Sequence, residues 1–337
     1  MATNKKTILW FARLALGLII IVMIFSRGDI LSKVFAELKT VNMLPVIGFF
    51  CLMFINTMLS SWKWKILLNA DGISVPYKTL LTSYLSATFF NMFLPSSIGG
   101  DVYRIAHIGR YSDKRTNSAA SVFADRLSGF FIVIVYGLAA TLIGMKLHPE
   151  LTEHPWIAER PEALWLLPLA FAGMLFMIWA LFQQKLLRWG LGLFKLEKIG
   201  IFRKIMDQFL DSFSAYKNKK RTIVAIVLIS MIFQFNMIIC WWLLNVALSI
   251  HLSPIYFAMF VPILILIEAV PFSVGGVGPR EAGCEVLFMI AGATQEQSLA
   301  MGLLYSGLAI LYCLSGGVVY LINRKAHASE TGQGVSG

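Results

Sequence analysis

Apolar stretches nearly as long as a bilayer is thick recur along this chain, and they leave it few ways to fold. Crossing the hydrocarbon core takes about 20 helical residues, and residues 8–25, 43–62, 117–145, 162–182, 222–248 and 296–322 approach or exceed that length. With no water at that depth to bind open N–H and C=O groups, such stretches must close their hydrogen bonds internally as helices. Of the 337 residues, 58% are hydrophobic and 14% charged, against about 25% charged in soluble domains. A soluble core carrying a single anchor is therefore excluded. The apolar run from Ile8 to Phe25 follows Lys5-Lys6 like a signal peptide, but no A-x-A site precedes Ser26-Arg27-Gly28-Asp29, so an uncleaved first span is expected.

Two further apolar stretches, residues 79–94 and 255–270, are too short to span. At 1.5 Å per residue they reach about 24 Å, against a core of about 30 Å. Each runs into a Pro/Gly-rich break and then a second helix-like stretch, at 101–110 and 279–292. Charge decides where they open. Basic residues crowd the N-terminus, the 63–78 segment (Lys63, Lys65, Lys78), the 104–115 segment (Arg104, Arg110, Lys114, Arg115) and the end (Arg324, Lys325). They also fill the 183–221 loop, from Lys185 and Arg188 to Lys220 and Arg221. Such an excess marks cytoplasmic loops. Keeping all of them inside makes 79–110 a re-entrant hairpin from the cytoplasm and 255–292 one from the outside. The net charge of +11 thus belongs to loops, and no nucleic-acid partner is expected. Within the basic loop, Phe202, Ile205, Met206, Phe209, Phe213 and Tyr216 keep helical spacing. They suit an amphipathic helix on anionic inner-leaflet lipids or a solvated connector.

The strongest signal is internal repetition. Leu94-Pro95-Ser96-Ser97-Ile98-Gly99-Gly100-Asp101-Val102-Tyr103-Arg104 aligns without gaps to Val270-Pro271-Phe272-Ser273-Val274-Gly275-Gly276-Val277-Gly278-Pro279-Arg280, at a constant offset of 176 residues. The same offset brings the span at 43 close to that at 222, and the span at 117 close to that at 296. The unit span, span, hairpin, span occurs twice. Because the two hairpins open to opposite sides, the halves are related by inversion, an arrangement that recurs in secondary transporters with the substrate site at the repeat interface. A duplication that only scaffolds other proteins is the bland alternative.

The repeated motif suits anion binding. The pairs Gly99-Gly100 and Gly275-Gly276 permit tight turns and close ligand approach. Pro279 fits the first helical position, leaving N–H groups and a helix dipole for an anion. Arg104 and Arg280, one turn further on, can grip a phosphate bidentately. The alternative is a glycine-capped kink with each arginine snorkelling to the headgroups. Asp125-Arg126 lies within the span starting at 117, and charges at such depth must be paired or used. The two point about 100° apart, so partners on other helices are expected, with Asp125 available to hold Arg104 or Arg280. Glu268 sits among Ile263–Ile267 and suits proton coupling or charge balance for an arginine; its repeat equivalent is Met92. Glu281 and Glu285 follow the second motif and are candidates to pair with Arg126 or Arg104. Together with Asp101 these carboxylates form the candidate charge network. Asn56, Asn91, Gln234 and Asn236 read as interhelical hydrogen-bond partners.

No enzyme constellation emerges, and neither cofactor nor metal is expected. The five histidines share no metal spacing, and Cys51, Cys240, Cys284 and Cys313 stand singly in apolar segments. Walker, G-x-S-x-G and dinucleotide motifs are absent from the sequence.

On Asn91-x-x-Leu94-Pro95 leading to Gly99-Gly100-Asp101-x-x-Arg104, on Asp125-Arg126-x-x-Gly129, and on Pro271-x-x-x-Gly275-Gly276-x-Gly278-x-x-Glu281, the chain resembles the lysylphosphatidylglycerol synthase transmembrane-region, or flippase-like domain, family over roughly residues 8–323. The resemblance implies flipping of phospholipids or polyprenyl-phosphate-linked sugars, or an accessory role beside the enzymes that make them. Family members that synthesise lysyl-phosphatidylglycerol join this region to an aminoacyl-transferase domain. That activity is not expected of these 337 residues.

The expectation is an all-α membrane protein with six full transmembrane helices and two re-entrant helical hairpins in an inverted-topology repeat. The first half spans 1–150 and the second 151–325, with the basic loop 183–221; 326–337 is expected to be a disordered tail. Its function would be to move an anionic phospholipid or lipid-linked sugar across a bacterial-type cytoplasmic membrane, both termini inside. Arg104, Arg280, Arg126 and the glycine pairs would bind the substrate. The alternative is a non-transporting partner of a glycosyltransferase or lipid-modifying enzyme. A homo-oligomer and a lipid-synthesis enzyme are the protein partners left open.

Overall fold

The computed structural model of the chain describes residues 29–92, 98–109, 115–149, 154–159, 219–269 and 276–330, with single positions at 22, 26 and 151 and scattered ones between 162 and 176. Ten helices are delimited among them: α1 Ile30–Lys39, α2 Met43–Ala70, α3 Tyr77–Asn91, α4 Ile98–Ile108, α5 Arg115–Leu147, α6 Pro155–Ala158, α7 Lys220–Ala247, α8 Pro254–Ala269, α9 Pro279–Ile290 and α10 Gln295–Glu330. Four of these are long and apolar enough to cross a membrane: α2, α5, α7 and α10. They match four of the six spans expected. All but one residue of the span at 8–25, most of that at 162–182 and the amphipathic stretch 202–216 lie outside the described residues.

Two boundaries differ from expectation. Helix α2 continues past residue 62 to Ala70, so Lys63 and Lys65 are helical residues rather than loop residues. Trp62, Trp64, Leu67 and Leu68 supply enough apolar surface to carry the helix through two lysines. Helix α10 runs to Glu330, so residues 326–330 of the expected disordered tail are helical; Ala326 and Ala328 are strong helix formers.

Asn42 caps α2 by accepting from the Leu44 N–H at 3.0 Å, and Pro76 and Pro254 precede or open helices where a missing N–H does no harm. Helices α2 and α7, equivalent under the 176-residue offset, pack side by side and antiparallel. Near one end the Asn42 N–H donates to the Ala247 carbonyl at 2.9 Å; near the other, Lys63 Nζ donates to Ser230 Oγ at 3.1 Å. Helix α10 runs parallel to α2, with Phe49 edge-on to Tyr305 and, two turns on, Thr57 hydrogen-bonded to Tyr312.

The packing pairs also come in offset equivalents. Helix α3 packs on α10 and α8 on α5; α3 meets α4 as α8 meets α9; α4 meets α5 as α9 meets α10. Each half's short helix therefore leans on a long helix of the other half. Close approach needs small residues at such crossings, and Gly316 lies against the Leu85 carbonyl. The main core gathers Phe49, Trp241, Leu244, Phe257, Leu264, Phe288, Leu299 and Tyr305 from both halves. A second core, around Trp64, Leu68, Leu80, Ile108 and Val122, belongs to the first half. On the outside, Leu44, Ile47, Phe54, Leu142, Phe235 and Leu321 are exposed, as suits helices whose outer face meets lipid rather than water.

Candidate functional site: two buried arginine clusters

The first cluster forms where the end of α2, the middle of α3, α4 and the start of α5 meet. Asp125 holds Lys63 through Oδ1 at 2.8 Å and Arg104 through Oδ2 at 3.0 Å, with all three side chains nearly inaccessible. The Tyr84 hydroxyl donates to the same Oδ2 at 3.2 Å. The Arg104 guanidinium also lies 4.2 Å from the Trp64 ring centre and 4.1 Å from that of Tyr84, two rings set edge to face with each other, and a desolvated cation gains from such ring contacts. Trp64 is itself fixed by donating from Nε1 to Ser121 Oγ at 3.0 Å.

Asp101, one turn before Arg104, completes the cluster. It takes Arg126 in a two-pronged pair, Nε to Oδ2 at 2.9 Å and Nη2 to Oδ1 at 3.1 Å, and touches Arg104 at 3.4 Å. Arg126 remains 35% exposed, so it is the cluster's outward-facing cation. As expected, the adjacent Asp125 and Arg126 pair with other helices rather than with each other: Asp125 reaches α2 and α4, and Arg126 reaches α4.

The second cluster is built at the start of α9. The chain turns through Gly276 and Gly278, with φ +76° and +95°, a conformation open mainly to glycine; Pro279 then opens the helix as expected. Arg280 binds Glu268 at 3.1 Å, donates to Ser306 Oγ at 2.5 Å and lies 3.6 Å from Glu281. Its guanidinium sits 4.8 Å from the Tyr305 ring centre, and Tyr305 stacks on Trp241 at 4.4 Å. Glu281 is fully buried and committed: one oxygen accepts from the Gly278 N–H at 2.6 Å, the other from Ser306. Among the described residues Glu268 is bound at one oxygen, by Arg280, and it stays 25% exposed.

Several expected roles change. One N–H at each helix start is already taken by a side chain: Asn91 accepts that of Gly100 at 2.7 Å and Glu281 that of Gly278 at 2.6 Å. Gly100 lacks a Cβ because α3 is there; a Cβ would stand 2.5 Å from the Ala87 carbonyl oxygen. A Cβ at Gly276 would instead meet Glu268 and Arg280 at 3.1 and 3.6 Å, so this glycine borders the ion pair. Gly99 is buried, and Gly275 lies outside the described residues. Glu281 turns to Arg280 and Ser306 rather than to an arginine of the first half, because the capping geometry of its own helix aims it there. Glu285, one turn further along α9, accepts from Gln295 at 2.6 Å.

Sequence reasoning missed Lys63, Trp64, Tyr84, Tyr305 and Ser306. The alternation Trp62-Lys63-Trp64-Lys65 was the available signal, since a lysine between tryptophans can be carried inward. Between the clusters, Asn56, Ser60, Ser230 and Gln234 are buried along the seam of α2 and α7. Asn56 was expected to bond across helices, yet both its amide atoms, and Gln234 Nε2, are buried without a hydrogen-bond partner among the described residues. Phe49, which touches Tyr305, and Lys63 are 14 residues apart on α2, so the clusters stand about 20 Å apart along that helix.

In formal charge the first cluster (Lys63, Arg104, Arg126 against Asp101, Asp125) carries one positive charge in excess. The second (Arg280 against Glu268, Glu281) carries one negative. No curated protein and no solved structure matches the chain. The family model described as lysylphosphatidylglycerol synthase TM region matches residues 10–316. A helical chain with four or more membrane spans, matched over nearly its whole length, is therefore a multi-pass membrane protein that belongs to this family.

Proposed function

We propose that the chain moves a lipid bearing an anionic phosphate headgroup, a phospholipid or a polyprenyl-phosphate-linked sugar, across the cytoplasmic membrane by alternating access, without catalysing a reaction. The observation that carries this reading is the pair of offset-equivalent arginines, Arg104 and Arg280. Each is buried on the short helix that follows its half's break, laid against an aromatic ring and tied to a carboxylate. A guanidinium so prepared exchanges one oxyanion for another at little geometric cost.

The antiparallel course of α2 and α7 supports an inverted repeat, because offset-equivalent helices run opposite ways. The breaks before α4 and α9 suit re-entrant hairpins: backbone interrupted at membrane depth survives where it lines a cavity or is packed in protein. In this reading the two clusters serve opposite leaflets, both termini are cytoplasmic, and the polar seam of α2 and α7 lies between them. Arg126, the most exposed cation of the two clusters, makes the first contact with the headgroup, displacing Asp101.

The test is reconstitution into phosphatidylcholine vesicles with a fluorescent phosphatidylglycerol, following its loss of accessibility to a membrane-impermeant quencher. Arg104→Ala and Arg280→Ala, inserted and monodisperse, are each expected to lose at least tenfold in translocation rate. Wild-type rates in both variants would sink the reading and leave an accessory role.

A further inference from the structure

Of the four carboxylates in the two clusters, two are committed and two are replaceable. Asp125 and Glu281 are buried and use both oxygens on partners that build the site. Asp101 and Glu268 lie at the accessible edges, 18% and 25% exposed. Each sits where an incoming oxyanion would meet an arginine. Their consequences differ. A phosphodiester carries one negative charge, and at the first cluster it neutralises the positive excess outright. The second cluster already carries a negative excess, so an arriving phosphate leaves Glu268 stripped of its cation beside Glu281 and a second anion. An unpaired carboxylate in such surroundings costs far more than a neutral one.

Resting on the lipid-phosphate reading above, we propose that Glu268 is an internal stand-in for the substrate's phosphate on Arg280, and that it takes up one proton for each phosphate the second cluster receives and returns it when the phosphate leaves. The balance closes. With Arg280, Glu281 and Glu268 charged, the cluster stands at one negative charge. After phosphate binds and Glu268 is protonated, it stands at one negative charge again. Glu268 ends α8 with part of its side chain accessible, which gives the proton a way in and the released side chain room to turn.

Charged and titratable neighbours agree with a single exchanging group. Helix α9 brings Arg280, Glu281 and Cys284, α10 brings Tyr305, and α7 brings Cys240 against Tyr305. Helix α5 runs antiparallel along α8, with Gly144 against Met259 and His148 beside Tyr256, and carries Tyr136 toward the Glu268 end. Arg280 is the one cation in this set, so Glu268 has no second partner to fall back on within it. The first half has Met92 at the equivalent position, and the proton step is therefore confined to the second cluster.

Two measurements test this. In weakly buffered detergent solution, adding short-chain phosphatidylglycerol to the full chain is expected to draw about one proton per lipid bound at the second cluster, and none in Glu268→Gln. In vesicles, wild-type translocation of the fluorescent phosphatidylglycerol should slow as pH rises from mildly acidic to mildly basic. Glu268→Asp should keep that dependence and Glu268→Gln should lose it. Binding without proton uptake by the wild type overturns the inference even where the glutamine variant fails to fold. Translocation that is equally fast at every pH also overturns it. Absence of translocation at every pH, with proton uptake on binding intact, would instead remove the transport reading and leave the exchange at Arg280 standing.

Discussion

Lys63 and Asp125 form a buried ion pair at 2.8 Å, at a depth where both side chains are more than nine-tenths hidden. Asp125 is also the anchor of Arg104, so one carboxylate holds two cations from two other helices. Removing it strands both, whereas removing Lys63 still leaves Arg104 paired. Breaking a buried pair by deleting one partner costs about 3–5 kcal/mol. Asp125→Asn is therefore expected to lower the thermal unfolding midpoint in detergent clearly more than Lys63→Met. Equal losses would mean that Arg104 does not depend on Asp125.

Gly100 is a packing glycine. Its N–H is held by Asn91 and its Cα faces the Ala87 carbonyl. Gly100→Ala must push α4 away from α3 and with it shift Arg104 off the Trp64 and Tyr84 rings. The expected outcome is a loss of stability of about 1–3 kcal/mol from overpacking, read as earlier unfolding in detergent. Gly307→Ala, where a Cβ meets nothing within 4 Å, serves as the neutral control. If the two behave alike, the contact with α3 carries no weight.

How much of this was legible beforehand follows from where each signal lives. Apolar length finds α2, α5, α7 and α10 because a bilayer imposes one period on every span. The 176-residue offset pairs Arg104 with Arg280, since duplicated sequence keeps its register. Depth alone marked Asp125 and Glu268 as residues needing a partner. The partners themselves were not legible. Lys63 comes from a stretch that reads as a basic loop, and Tyr84, Tyr305 and Ser306 are ordinary in helices until tertiary packing turns them inward. At the helix starts too, whether a given N–H is free depends on a side chain from a neighbouring helix, as with Asn91 and Gly100, or three residues on, as with Glu281 and Gly278.

Asn56 and Gln234 are the clearest conflict between stability and use. A buried amide without partners is costly, and replacing it by an apolar group of similar size removes that cost. The double variant Asn56→Leu, Gln234→Leu should then unfold no earlier than the wild type, and later if the seam repacks well. Among the described residues no hydrogen bond accounts for keeping the amides, but a headgroup passing between clusters about 20 Å apart would need polar groups on its way. Translocation of the fluorescent lipid is accordingly expected to fall at least tenfold in the double variant while both arginine clusters stay intact. A stable variant that translocates at the wild-type rate would show that the headgroup does not travel along the seam of α2 and α7.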